Sequence, residues 1–289
     1  MPKITSLGYC LLLSVVGFSS CKKTKKVDYA AVKKMQDYTV PLDTAPFGDA
    51  SDKRAMFIFP HADDEVAHAG TIAYLKSLGA QVKLLTLTKG TDADDKATRS
   101  QELECTVKTL GIDSFKHYDY YQNRWKDIVN DSISYWNENL PAVEATISQE
   151  IAAFRPQSVY VYDTIFGGYG HHEHILTSKA TFRALRKLQS GADATVKRVY
   201  MSTLPKVLDE LIVGQVESYV MFREKNKGVG KPAPNIAYNI QPFWPLKKAA
   251  AECHASQEHV MRNFYLKPSE NDTLHYQTFD REYYFLTKF

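Results

Sequence analysis

Short apolar runs alternate along the chain with longer stretches of helical period. Ala55–Pro60 (AMFIFP) is apolar without alternation, the pattern of a strand covered on both faces. Gln81–Leu87, Phe115–Tyr120, Ser158–Tyr162 and Arg198–Ser202 read as further strands. Between them Glu65–Lys76, Arg99–Leu110, Pro141–Phe154 and a segment ending near Leu188 read as helices, with stop signals at Leu78-Gly79 and Gly111. Pro141 suits a first helical turn. Residues 121–140 look irregular, residues 204–242 give no clear pattern, Lys247–Met261 reads as a helix, and Tyr276–Phe289 reads as a β element. Strands alternating with helices predict an α/β fold: a Rossmann-like, mostly parallel sheet with helices on both faces and an active site at the strand C-terminal ends.

The pattern differs before this region. In MPKITSLGYCLLLSVVGFSSC, Lys3 precedes an apolar stretch, and Ser19 and Ser20 lead into Cys21. This is the build of a secretory signal, and Phe18-Ser19-Ser20-Cys21 resembles a bacterial lipobox with Cys21 as the lipidated residue. Residues 1–20 are expected to be a lipoprotein signal peptide, residues 21–50 a tether or linker, and residues 51–289 the catalytic domain. Lys22, Lys23, Lys25 and Lys26 would sit beside anionic head groups. The expected location is extracytoplasmic, anchored to the membrane through Cys21, in the periplasm or at the cell surface.

Composition narrows the classes. The 289 residues are 44% hydrophobic and 24% charged, which is globular. Lys+Arg 36 against Asp+Glu 33 gives +3, too even for a nucleic-acid footprint, so no nucleic-acid partner is expected. Beyond Cys10 and Cys21 only Cys105 and Cys253 remain. Both lie in helix-like stretches, where a small buried thiol is the ordinary reading, although a disulfide is permitted outside the cytoplasm.

Two strand-end loops carry unusual chemistry. His61-Ala62-Asp63-Asp64-Glu65 places four ionisable groups directly after the first strand, an expense that a divalent metal would offset. Gly170-His171-His172-Glu173-His174 opens a helix, where positions 171 and 174 share a face and His172 points elsewhere. A His and an Asp from one loop with a His from the other make a catalytic zinc set with an open position. A spare carboxylate would serve as base and a spare His as acid or oxyanion donor. Taken singly, the acidic run also fits helix capping and the His cluster a solvated turn. Both at strand ends of one sheet argue for a single metal site.

At these residues the chain resembles the PIG-L/LmbE family of N-acetylglucosaminyl deacetylases, as a secreted lipoprotein member. The family's His-Pro-Asp-Asp-Glu is His61-Ala62-Asp63-Asp64-Glu65 here, and its His-x-x-His element follows Gly167-Gly168-Tyr169-Gly170. Arg99-x-x-Glu102, Arg155-Pro156 and His254-Ala-Ser-Gln257 follow its pattern too. Ala62 and His172 stand where the family usually has Pro. The resemblance implies metal ligands His61, Asp64 and His174, a general base Asp63, and His171 polarising the carbonyl and protonating the leaving amine. Glu173 would orient His171, and Arg99 and Tyr169 would contact substrate. It implies one Zn2+ per chain, with other divalent metals possible, and a hydrolase that deacetylates an N-acetylated amino sugar or glycan. His68 and His254 are expected to pack rather than to bind metal. The competing expectation is a non-catalytic glycan-binding surface lipoprotein on the same scaffold. A phosphoesterase would need ligands for two metals.

Overall fold

The structure, a computed structural model, describes residues 28–90, 93–120, 130, 134–189, 191, 194–226, 229–258 and 272–289. Residues 1–20, expected to be a signal peptide, and Cys21 lie outside the described residues. Among the described residues no helix is long and apolar enough to cross a membrane.

Among the described residues seven strands form one sheet: β1 (Arg54–Phe59), β2 (Gln81–Thr86), β3 (Ser114–His117), β4 (Ser158–Tyr162), β5 (Arg198–Ser202), β6 (Ile236–Asn239) and β7 (Arg281–Lys288). Their order is β3-β2-β1-β4-β5-β7-β6. The first five run parallel, and β7 runs antiparallel between β5 and β6. The fold is therefore the α/β type expected from the alternation of strands and helices.

The unbroken apolar run of β1 is explained by two cores. Ala55, Phe57 and Phe59 pack with Ile72 and Leu75 of α2 (Ala69–Ser77) and with Leu103 and Leu110 of α3 (Ala93–Leu110). Met56 and Ile58 face the other layer, against Val143, Ile147 and Ile151 of α4 (Ser134–Phe154) and Ala180, Ala184 and Leu185 of α5 (His172–Leu188). With neither face wet, alternation has no cause. The first core is rich in tyrosine. Tyr160 stacks between Phe57 and Tyr200 at 4.3 and 4.5 Å, and the Tyr200 hydroxyl donates to buried Asp43 at 2.5 Å.

The sheet fixes where a ligand can sit. From β1 the chain proceeds outward to β2 and β3, and from β4 outward to β5. The crevice between the C-terminal ends of β1 and β4 is the topological switch point, where such sheets bind ligands. Both chemistry-bearing loops leave the sheet there.

Several elements differ from expectation. The stretch read as linker is folded from residue 28 onward. Asp28 caps α1 (Tyr29–Lys34), accepting from the Ala31 amide at 3.1 Å, and Val32 and Val40 are buried with Tyr283. The backbone of Pro41 and Asp43 pairs with Ala237 at 2.9 Å, which extends the edge of β6. Helix α4 begins at Ser134, well before Pro141, because fully buried Trp136 anchors the added turns against the second core. The unpatterned 204–242 region holds α6 (Lys206–Ile212), α7 (Glu217–Lys225) and β6. The expected 247–261 helix is α8 (Trp244–Cys253), followed by a turn at Ala255–Gln257; residues 259–261 lie outside the described residues. A short helix α9 (Asp272–Thr278) precedes β7. Cys105 and Cys253 are joined in a disulfide that ties α3 to the end of α8, so neither is a buried free thiol.

Candidate functional site

The first loop turns sharply after β1. The Pro60 carbonyl accepts from the amides of Leu87 and Thr88 at 3.1 and 2.9 Å, which ties the loop to the end of β2. The His61 amide donates to Asp64 Oδ2 at 2.9 Å, closing the loop on itself. Between them Asp63 has φ 105° and ψ −26°, a left-handed conformation that costs a residue with a Cβ about 1–3 kcal/mol. The Asp63 amide is held at 2.9 Å by Glu65 Oε2.

The second loop is built on Asp163, just past β4. Its carboxylate accepts from the amides of Ile165, Phe166 and Gly168 at 2.9, 2.6 and 2.8 Å. Gly170 sits at φ 86°, and a Cβ there would lie 2.4 Å from the Ser218 carbonyl of α7, so only glycine fits. Ser218 Oγ in turn donates to the Tyr169 carbonyl at 2.7 Å. His171 then caps α5, its Nδ1 accepting from the Glu173 amide at 3.3 Å.

Three donor atoms converge in the crevice. His61 Nδ1 lies 3.2 Å from His174 Nε2 and 3.3 Å from Asp64 Oδ2, and Asp64 Oδ1 lies 3.1 Å from His174 Nε2. Tetrahedral zinc with ordinary bond lengths separates its ligand atoms by roughly 3.3 Å. The opposite nitrogen of each imidazole is engaged. His61 Nε2 donates to Glu173 Oε2 at 2.5 Å, and His174 Nδ1 donates to the Gly167 carbonyl at 2.9 Å. Both rings therefore turn a bare lone pair toward Asp64, and three acceptors facing one another need a cation. Burial disfavours charging His61, but the carboxylates of Asp64 and Glu173 outweigh it and raise its pKa to about 10. Burial likewise opposes the Asp64 charge, yet the imidazoles of His174 and His61 hold it well below the usual carboxylate range. The carboxylates thus favour positive charge in the pocket, which a proton on His61 supplies and a divalent cation would displace, and the donor set fits zinc.

His61, His171 and His174 also group, each offering a nitrogen within 4.8 Å of the others. His171 is the less suitable ligand. Its Nδ1 accepts a backbone hydrogen, so the neutral ring carries its proton on Nε2, and a protonated nitrogen cannot ligate. Burial first, then His174 and His61, pushes its pKa well down. A neutral imidazole beside His61 and stacked on His174 at 4.6 Å can donate one hydrogen bond from Nε2.

The remaining expected residues gather at the same crevice. Asp63 is almost buried, and burial raises its pKa against the opposing pull of Arg99, which leaves a carboxylate more basic than usual. Arg99 reaches inward: its NH2 donates to Asp63 Oδ2 at 3.0 Å and to the Ala62 carbonyl. Tyr169 presents its ring edge-on to His171 and His174 at 5.7 and 5.2 Å. Glu173, expected to orient His171, holds His61 through its carboxylate and His171 through its backbone amide. His172 turns to Phe222 of α7, ring centroids 5.0 Å apart, the divergence its spacing predicts.

Sequence reasoning missed Tyr162. Its hydroxyl donates to Asp64 Oδ1 at 3.2 Å and its ring stacks on His174 at 4.2 Å, so it braces two of the three donors. The signal was its place as the last residue of β4, facing the loop after β1. His68 packs, as expected, between Phe59 and Tyr284. His254 does more than pack: its Nε2 lies 2.6 Å from Glu65 Oε1.

Known proteins share this arrangement of chain and sheet. Residues 56–185 match the model of the PIG-L family, GlcNAc-PI de-N-acetylase. A 1D-myo-inositol 2-acetamido-2-deoxy-alpha-D-glucopyranoside deacetylase of Thermomonospora curvata is 27% identical over 273 residues, covering 82% of this chain and 91% of that protein. The N,N'-diacetylchitobiose deacetylase of Pyrococcus horikoshii superposes with a TM-score of 0.55 at 18% identity, covering 91% of this chain and 93% of that chain. GalB, a 4-carboxy-2-hydroxymuconate hydratase of Pseudomonas putida, superposes with a TM-score of 0.52 at 16% identity, covering 82% and 95%. At those identities the two structures speak to fold.

Proposed function

We propose that this protein is a zinc-dependent PIG-L/LmbE-like deacetylase that hydrolyses the acetamide of an N-acetylated amino sugar or glycoconjugate. The observation that carries the reading is the convergence of His61 Nδ1, His174 Nε2 and the Asp64 carboxylate, the two rings held by hydrogen bonds at their opposite nitrogens, with Asp63 and His171 flanking them. The match of residues 56–185 to a de-N-acetylase family, and a deacetylase relative along most of the chain, support the reaction class.

Zinc held by His61, Asp64 and His174 would supply Lewis acidity and a water of lowered pKa. Asp63 takes the proton from the attacking water, a task suited to a carboxylate made more basic by burial. His171 donates from Nε2 to the carbonyl oxygen as negative charge develops there. Asp63, now carrying the proton taken from water, passes it to the amine as the C–N bond breaks, while His171 stays a neutral hydrogen-bond donor, so acetate and a free amino sugar leave. Glu173 keeps His61 in the tautomer that ligates, and Tyr162 steadies Asp64.

The lipobox-like Phe18–Cys21 and the following lysines support a lipid-anchored protein outside the cytoplasm. That location favours envelope or environmental glycans as substrates. The test is acetate release from a panel of N-acetylglucosamine derivatives by the zinc-loaded protein. Release that stops on chelation and returns with zinc is expected, as is its near-abolition in Asp63→Ala with zinc still bound. Loss of zinc and activity together in that variant would reject Asp63 as the base. Tight sugar binding without acetate would favour a glycan-binding role.

A further inference from the structure

The mechanism leaves Glu65 and His254 without a task, although both are essentially excluded from solvent. Glu65 is bound at both oxygens. Oε2 accepts from the Asp63 amide at 2.9 Å, and Oε1 accepts from His254 Nε2 at 2.6 Å. His254 comes from the far end of the fold, just past α8, and is itself enclosed by α3. Thr106 Oγ1 lies 3.0 Å from its Nε2, and Glu102 Oε2 lies 3.8 Å from its Nδ1. Glu102 also accepts from the Ser256 amide and hydroxyl at 2.7 and 2.8 Å, which fixes the turn that carries His254. One face of α3 thus offers Arg99 to the Asp63 carboxylate, and Glu102 and Thr106 to the turn holding His254.

Asp63 needs such support. Its left-handed backbone persists only where its surroundings over-determine it. Arg99 fixes the carboxylate end and Glu65 the amide end. A carboxylate left alone in a buried site would be free to turn or to gain a proton; the hydrogen bond from His254 orients Glu65 so that its second oxygen meets the Asp63 amide.

We propose that Glu65 and His254 form a positioning pair that holds the Asp63 backbone in its left-handed conformation and so aims its carboxylate into the crevice. Neither residue touches substrate in this scheme. The proposal rests on Asp63 being the base for its kinetic consequence, but not for its structural one.

The experiment compares the zinc-loaded full chain with His254→Leu, His254→Gln and Glu65→Gln by crystallography, zinc stoichiometry and steady-state kinetics. In His254→Leu the 62–63 peptide is expected to leave the left-handed region with zinc still bound at one per chain. Its kcat should fall roughly 100-fold with KM within about twofold, the signature of a displaced reacting group. Gln at 254 keeps an N–H for Glu65 and should restore most of the kcat. If the leucine variant does not fold, Glu65→Gln supplies the same comparison, because the amide changes the charge and keeps the shape. An unchanged Asp63 backbone in the variants overturns the proposal, as does equal loss in His254→Leu and His254→Gln. If the wild-type chain deacetylates nothing, the functional reading fails, while the crystallographic comparison still decides whether the pair holds Asp63.

Discussion

A histidine ligates metal through whichever ring nitrogen its hydrogen bonds leave bare. At His61 the choice is made by Glu173, whose Oε2 lies 2.5 Å from Nε2, and at His174 by the Gly167 carbonyl. Glu173→Gln should therefore weaken zinc binding by about 10–100-fold while leaving the fold intact, because the amide holds the ring without its charge. Competition with a chromophoric chelator measures this, and an unaltered affinity would show that Glu173 acts elsewhere. The residues that meet in the crevice were legible because ionisable groups clustered at strand ends stand out from any packing pattern. The partner of Glu173 was not legible. The contact between residues 61 and 173 is made by the crossing of two loops, which no local spacing encodes. Tyr162 was hidden for a related reason: inside an apolar strand a tyrosine reads as core, and its hydroxyl becomes informative only once Asp64 is placed 3.2 Å away.

At the scale of elements, strands and long helices followed from their apolar runs, whereas short ones did not. Helices α6 and α7 are seven and nine residues long, below the length at which a helix holds by itself, and they exist through contacts around Phe166, Val213 and Tyr219. Helix α3 was legible as a helix but not as a hub. It meets Asp63 through Arg99, the late turn through Glu102, and the end of α8 through the Cys105–Cys253 disulfide. That bond spans a sequence separation of 148 residues, so it removes much freedom from the unfolded chain. Reduction, or paired Cys→Ala substitution, should cost about 2–5 kcal/mol and lower the melting temperature by roughly 5–15 °C. Calorimetry with and without reductant checks it, and coincident transitions would mean that the cross-link is idle.

For the molecule as a whole, two buried histidines contribute to the loss of stability in acid. His68 and His275 are enclosed, and burial, with the nearby Lys247 charge, lowers each pKa to about 3. Their unfolded values lie near 6.5. Above pH 6.5 both states are neutral and the full stability is present. As pH falls from 6.5 toward 3 only the unfolded chain takes up these protons, so stability declines by roughly 1 kcal/mol per pH unit for each residue. Urea midpoints between pH 7 and 4 should fall more steeply for the wild type than for His275→Gln, and parallel slopes would contradict the assignment. The overall architecture was legible because four buried parallel strands, β1, β2, β4 and β5, leave a strong apolar signature. The position of β7 was not, since an antiparallel strand inserted between β5 and β6 leaves no mark in the order of the sequence.

That insertion has a consequence for how the protein is made. On a ribosome β5 and β6 both emerge before β7, yet neither is next to the other in the sheet. Until residues 281–288 are synthesised, β5 shows a bare edge and β6 lacks its β7 partner. A bare edge is a template for a strand from another molecule. Any chain that has folded without residues 281–288 is thus open to strand exchange and aggregation, so the segment that completes the sheet is also the one that protects it.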